Sequence, residues 1–117
     1  MEKVFTELTS VYGFIGICLY DAETGMTDKV MPEAYTENEL AEIADMLIAL
    51  YQSGADLGPL HDVTVYEGTK LFLLRKITNH AFVCVLAEAD TNLFLLRIAL
   101  NLLSDDLMHR SGALLQS

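Results

Sequence analysis

"DVTVYEGTKLFLLRKITNHAFVCVLA" (residues 62–87) decides the fold. Residues 62–67 alternate, with Val63 and Val65 on one face, which is the period-two pattern of a strand. Gly68-Thr69 reads as a tight two-residue turn into a second strand, 70–77. Asn79 marks another turn into a third strand, 80–87. Short connections of this kind join only antiparallel neighbours, so the stretch predicts a three-stranded meander.

Toward the N-terminus, Thr36-Glu37-Asn38-Glu39 has the form of a capping box, in which a hydroxyl and a carboxylate satisfy the first free N–H groups of a helix. Behind it Leu40, Ile43, Ala44, Leu47, Ile48 and Tyr51 recur at helical spacing. Gly54 fits a helix stop, so the spacing predicts a helix over 37–53. Met46 and Leu50 lie outside its main stripe, which makes its apolar surface wider than contact with one sheet requires. Earlier still, FIGICLY (14–20) reads as a buried strand. DAETG (21–25) reads as a hairpin turn with Gly25 at positive φ, and MTDKVM (26–31) as a weak return strand, short or at an edge, closed by Pro32. Val4, Phe5 and Leu8 within 2–10 predict a short amphipathic helix, broken by Gly13.

Toward the C-terminus, Asp90 or Thr91 is expected to cap a last helix, about 92–108, that contains "LFLLRIALNLL" (93–103). Nine of these eleven residues are apolar, and only Arg97 and Asn101 interrupt. At ~1.5 Å per residue the run covers about 17 Å, too short for a hydrocarbon layer of roughly 30 Å. Protein must cover it. Leu93, Leu96, Leu100, Leu103 and Leu107 form one stripe for the sheet. Leu95, Ile98 and Leu102 form a second, whose cover is either the N-terminal helix or a partner protein. The order helix, two strands, helix, three strands, helix predicts an α/β (α+β) sandwich with one five-stranded antiparallel sheet and helices on both faces.

At 117 residues the chain is read as one domain, 1–117, with a core over about 3–107 and a tail at 109–117. Seventeen acidic against seven basic residues, a formal charge of −10, disfavour nucleic acid and anionic membranes as partners. MEKVFTEL lacks the cationic and apolar regions of a secretory signal. Cys18 and Cys84 sit inside strand-like runs without metal-ligand spacing, as buried reduced thiols, and a cytoplasmic location follows as an expectation.

The order and spacing of these elements resemble the Roadblock family, the dynein light-chain type. The resemblance rests on "GFIGICLYDAETG", "ENELAEIADMLIALYQSGADLG", "DVTVYEGTKLFLLRKI" and "HAFVCVLAEADTNLFLLRIALNLL", and runs over about residues 3–107. It implies a profilin-like sandwich that is not an enzyme, requires no cofactor, and pairs with itself or a relative through the middle helix and the edge strand that follows. It also implies binding of a small Ras-like GTPase, in an activating or localising role. Carried onto this chain, the self-association surface is Leu40, Ile43, Met46, Leu47 and Leu50 of the helix and Val63 and Val65 of strand 62–67. Glu39, Glu42 and Asp45 form a polar rim facing a partner. The polar MTDKVM strand departs from the family's usual apolar version.

Chemistry is otherwise sparse. The acidic residues Glu37, Glu39, Glu42 and Asp45 suit a solvated helix face near the N-terminal dipole better than a shielded acid–base pair. His61, His80 and His109 are scattered and lack zinc-motif spacing. No Gly-rich loop cradles phosphate, and no G-x-S-x-G is present. Arg75 and Lys76, adjacent on a strand, point to opposite faces and do not form one anion site. Arg75, Arg97 and Arg110 offer no identifiable arginine finger, so any stimulation of hydrolysis would act by holding the GTPase's own groups. The alternative function is a structural adaptor subunit of a larger dynein-type or signalling complex without a GTPase. A ligand-sensing sandwich is disfavoured because the interior shows no convergent polar groups.

Overall fold

A computed structural model describes residues 7–116, with side chains described for residues 7–109. Helical residues 7–9 (α1) lead into β1 (Phe14–Asp21) and β2 (Gly25–Val30), then α2 (Glu37–Ala55). The meander β3 (Asp62–Glu67), β4 (Lys70–Lys76) and β5 (Ala81–Glu88) precedes α3 (Leu93–Gln116). The strands form one antiparallel sheet in the order β2-β1-β5-β4-β3. This is the expected five-stranded sheet, with helices packed on both faces.

Burial explains the strand order. Residues 82–87 of β5 are buried without interruption, so β5 must be covered on both faces and takes the centre. The β2 strand, exposed over its last four residues, takes one edge, as its polar sequence required. The β3 strand takes the other. Hairpin turns at Gly25 (φ 94°) and Gly68 (φ 58°) use the left-handed region that only glycine enters without strain.

Side-chain alternation divides the interior into two cores. Leu71, Leu73, Val83 and Val85 face α1 and α3, where Leu8, Leu96, Leu100 and Leu103 meet them. Phe72, Leu74, Phe82, Cys84 and Leu86 point the other way, to Leu47 and Ile48 of α2. Each fully buried aliphatic side chain contributes about 1.5–3 kcal/mol of gross hydrophobic stabilisation. The first stripe of "LFLLRIALNLL" thus does what its spacing predicted. Val4 and Phe5, expected together with Leu8 to cover the second stripe, lie outside the described residues, as does the Arg110 side chain, and Leu8 packs with the first stripe.

Four local expectations change. The Thr36 cap forms, with the Glu39 N–H donating to Thr36 Oγ1 at 3.2 Å, but the Glu39 carboxylate accepts from the Thr36 hydroxyl itself, at 3.1 Å. Gly54 does not stop α2, which runs on to Ala55. Its lack of a side chain instead admits Leu60, whose Cδ2 would lie 2.8 Å from a Cβ there. The last helix is capped by Asn92, whose Oδ1 accepts the Leu95 N–H at 3.2 Å. Thr91 is drawn away, its hydroxyl donating to the Tyr12 carbonyl at 2.6 Å. Finally, residues 109–116, read as tail, continue α3 as helix.

Candidate protein-interaction surface

The α2 helix lies across one face of the sheet and touches β2, β4 and β3. Its inner stripe, Leu40, Ala44, Leu47 and Ile48, is buried within the chain's own sandwich. Two of the residues expected at a self-association surface, Leu40 and Leu47, therefore face inward. Met46 (44% exposed) and Leu50 (45%) are open to solvent, one turn apart, and Ile43 beside them is half-buried. Tyr51 closes the inner side, donating its hydroxyl to the Leu60 carbonyl at 3.2 Å and meeting the Phe82 ring edge-on at 6.0 Å.

The acidic rim is divided. Asp45 accepts a 2.7 Å hydrogen bond from the Tyr20 hydroxyl of β1, and this bond holds the phenol's pKa above its ordinary value. Asp45 thus ties one flank of α2 to β1. At 100° per residue, Met46, Leu50 and Ile43 lie roughly 100–160° round the helix from Asp45, on the other flank of α2. Glu39 and Glu42 remain exposed.

The two sheet edges differ. Along β2, Asp28 and Lys29 place charges on the edge, and Lys29 reaches Glu37 of α2 at 3.8 Å. Charged side chains of this kind discourage strand addition. The corresponding centre of β3 is Val63-Thr64-Val65, with Val63 and Val65 half-buried against the α2 core. β3 thus offers an edge without central charges, and α2, which touches β3, exposes Met46 and Leu50.

The opposite face of β3 holds an ionic cluster. Asp62 and Thr64 point toward α3, because their register partners Arg75 and Leu73 do. Arg75, 2% exposed, donates from Nη2 to Asp62 Oδ2 at 2.9 Å and from Nη1 to Asn101 Oδ1. Arg97 donates to the other oxygen of Asp62 at 3.2 Å. The two interruptions in "LFLLRIALNLL" are thus points where α3 is bonded to the meander. Lys76 points the other way, its ammonium 5.8 Å from the Tyr51 ring centre, as strand alternation required. Beside this seam the second stripe of α3, Leu95, Ile98 and Leu102, stays exposed together with Phe94.

Cys18 and Cys84 are register partners on β1 and β5, free and buried. A hydrogen bond between the two thiols lowers the pKa of Cys18, and the same hydrogen bond and burial raise that of Cys84 well above the ordinary value. His80, isolated in the sequence, meets Asp21 at 2.7 Å, and with Glu23 these residues bring three ligand-type groups within 4.8 Å. Asp21 is already committed. It accepts the N–H groups of Glu23 and Thr24 at 2.8 and 3.2 Å, which closes the β1–β2 turn. His109 is exposed on α3 and His61 precedes β3. No helix among the described residues is long and apolar enough to cross a membrane.

No protein-family model and no curated protein matches the sequence. Solved structures match the fold. A Roadblock/LC7 domain from Streptomyces avermitilis superposes with a TM-score of 0.80 at 14% identity, over 96% of this chain and 98% of that one. MglB from Myxococcus xanthus does so with a TM-score of 0.78 at 13% identity, over 95% and 90% of the two chains. The gliding protein MglB from Thermus thermophilus gives 0.74 at 15% identity, over 92% and 85%. At such identities the likeness is one of architecture, and it agrees with the element order read from the sequence. The chain has the Roadblock/LC7 fold.

Proposed function

We propose that this protein is a non-catalytic regulator or scaffold that pairs with a second copy through α2 and the β3 edge and binds a small Ras-like GTPase. The observation that carries this reading is the Met46–Leu50 pair, exposed on the helix that touches β3, the sheet edge whose centre bears no charge. Two copies related by a twofold axis would lay these flanks together and continue the sheet from β3 to β3, an isologous contact that closes on itself. Glu39 and Glu42 would then border the joined helices as a polar rim, suited to a basic surface on the GTPase. The family resemblance supplies both the GTPase as partner and the regulatory role, and the solved structures support the Roadblock/LC7 fold on which they rest. Two measurements test it together. Light scattering should give twice the chain mass for the wild type. A tagged wild type should also retain a small GTPase from its native host, and hydrolysis by that GTPase with and without this protein separates an activator from a passive scaffold. Retention of other proteins but no GTPase would favour the adaptor reading, for which the exposed Phe94, Leu95, Ile98 and Leu102 on α3 speak.

A further inference from the structure

The seam between α3 and the meander opens into a cleft of about 330 Å³. The buried Arg75 and Ser104 line it, with the half-buried Lys76 and the exposed Asn101, His61, Asp105 and Met108. Two of these residues carry polar groups that the fold buries without using. Arg75 is committed at both terminal nitrogens, yet its Nε–H is buried without a hydrogen-bond partner among the described residues. Ser104, 4% exposed and one turn beyond Asn101, has a buried Oγ in the same condition. A buried donor left unsatisfied is costly, and natural folds rarely tolerate two on one wall without a use for them.

The charges set the sign of what fits. Arg75 and Arg97 share the single carboxylate of Asp62, and with Lys76 and Asp105 counted three cations meet two carboxylates, which leaves one positive charge around the cleft. An acceptor carrying one negative charge would balance it and take hydrogen bonds from Arg75 Nε–H and the Ser104 hydroxyl. The Asn101 amide, whose Oδ1 already faces Arg75, has its NH₂ left to donate. Asp105 on the same cleft opposes a doubly charged ligand. The volume exceeds that of a bare inorganic ion and suits a small organic acid. We propose that this cleft binds the carboxylate of a small organic acid, with Arg75 and Ser104 as its anchors. The sequence gives no hint of these convergent polar groups, because their members come from two elements and are brought together only by packing. The site lies on the α3 face and is independent of pairing through α2.

The test uses the full chain labelled with nitrogen-15, titrated with sodium acetate at constant ionic strength while the Arg75 Nε–H resonance is followed. A saturable shift is expected, and Ser104→Ala should weaken it by about tenfold, as loss of one hydrogen bond to a charged group implies. The Ser104→Ala variant is expected to keep the wild-type amide spectrum elsewhere, so that weakened binding is not confused with unfolding. In a parallel titration at a pH where it carries mainly two charges, inorganic phosphate should shift the same resonance far less. A shift that never saturates, one that Ser104→Ala leaves unchanged, or one stronger with phosphate than with acetate would each overturn the proposal.

Discussion

Asp62 and Arg75 face each other across the β3–β4 ladder, with Nη2 and Oδ2 2.9 Å apart and both side chains less than a tenth exposed. This pair fixes the start of the edge strand to the interior, and through Arg97 and Asn101 it ties the same point to α3. Removing one partner of a buried pair strands the other, a loss of about 3–5 kcal/mol. Asp62→Ala should approach that figure in urea unfolding because it abandons two guanidinium groups. Arg75→Met should cost less, since Arg97 still serves Asp62. Equal losses would mean that Arg97 contributes nothing to the cluster.

The proposed self-association surface predicts that added charge alone gives a monomer. Met46→Asp with Leu50→Asp should halve the mass seen by light scattering without altering the far-ultraviolet dichroism, because both side chains already meet water in the single chain. Leu47→Asp is the contrasting case, since Leu47 is wholly buried. It should unfold the protein rather than merely split it. A double variant that keeps the wild-type mass would place pairing elsewhere.

The α2 cap predicts a modest, local effect. Thr36→Ala removes the acceptor for the Glu39 N–H and should lower stability by about 1 kcal/mol. Thr36→Ser should restore most of it, and amide exchange in the first turn of α2 should quicken only in the alanine variant.

The Asp21–His80 contact predicts a pH window. The hydrogen bond and charge of Asp21 raise the His80 pKa above its usual 6.5. Asp21 is lowered below its usual 3.8, first by the Glu23 N–H and then by His80. A raised histidine stabilises fully below 6.5, and that contribution fades as pH climbs through the folded value. A depressed carboxylate stabilises above 3.8 and loses its contribution as pH falls through its folded value. The contact is therefore strongest between those limits. Proton titration of the His80 ring should give a value above 6.5 that Asp21→Asn returns toward normal. An unchanged ring would show that the two side chains do not meet in solution.

The backbone of this fold was legible in the sequence because its signals are local. Alternation at 62–67, glycine at the hairpin turns, a hydroxyl ahead of α2 and leucines spaced along α3 each act within a few residues. Steric and hydrogen-bonding preferences at that range hold unless a residue distant in sequence competes for the same space or group. Misreadings occurred where several residues competed for one role. Gly54 reads as a stop until Leu60 is seen to need the space, and Thr91 reads as a cap until Tyr12 claims its hydroxyl. The candidate site divides in the same way. That α2 carries more apolar surface than one sheet can cover follows from Met46 and Leu50 lying off its main stripe. That Leu40 and Leu47 are spent on the interior, or that Arg75, Asp62, Arg97 and Asn101 form one cluster, depends on contacts between residues 13 to 35 positions apart. Charges so distant along the chain meet only when the meander and α3 pack, and no periodicity records which carboxylate a buried arginine will find.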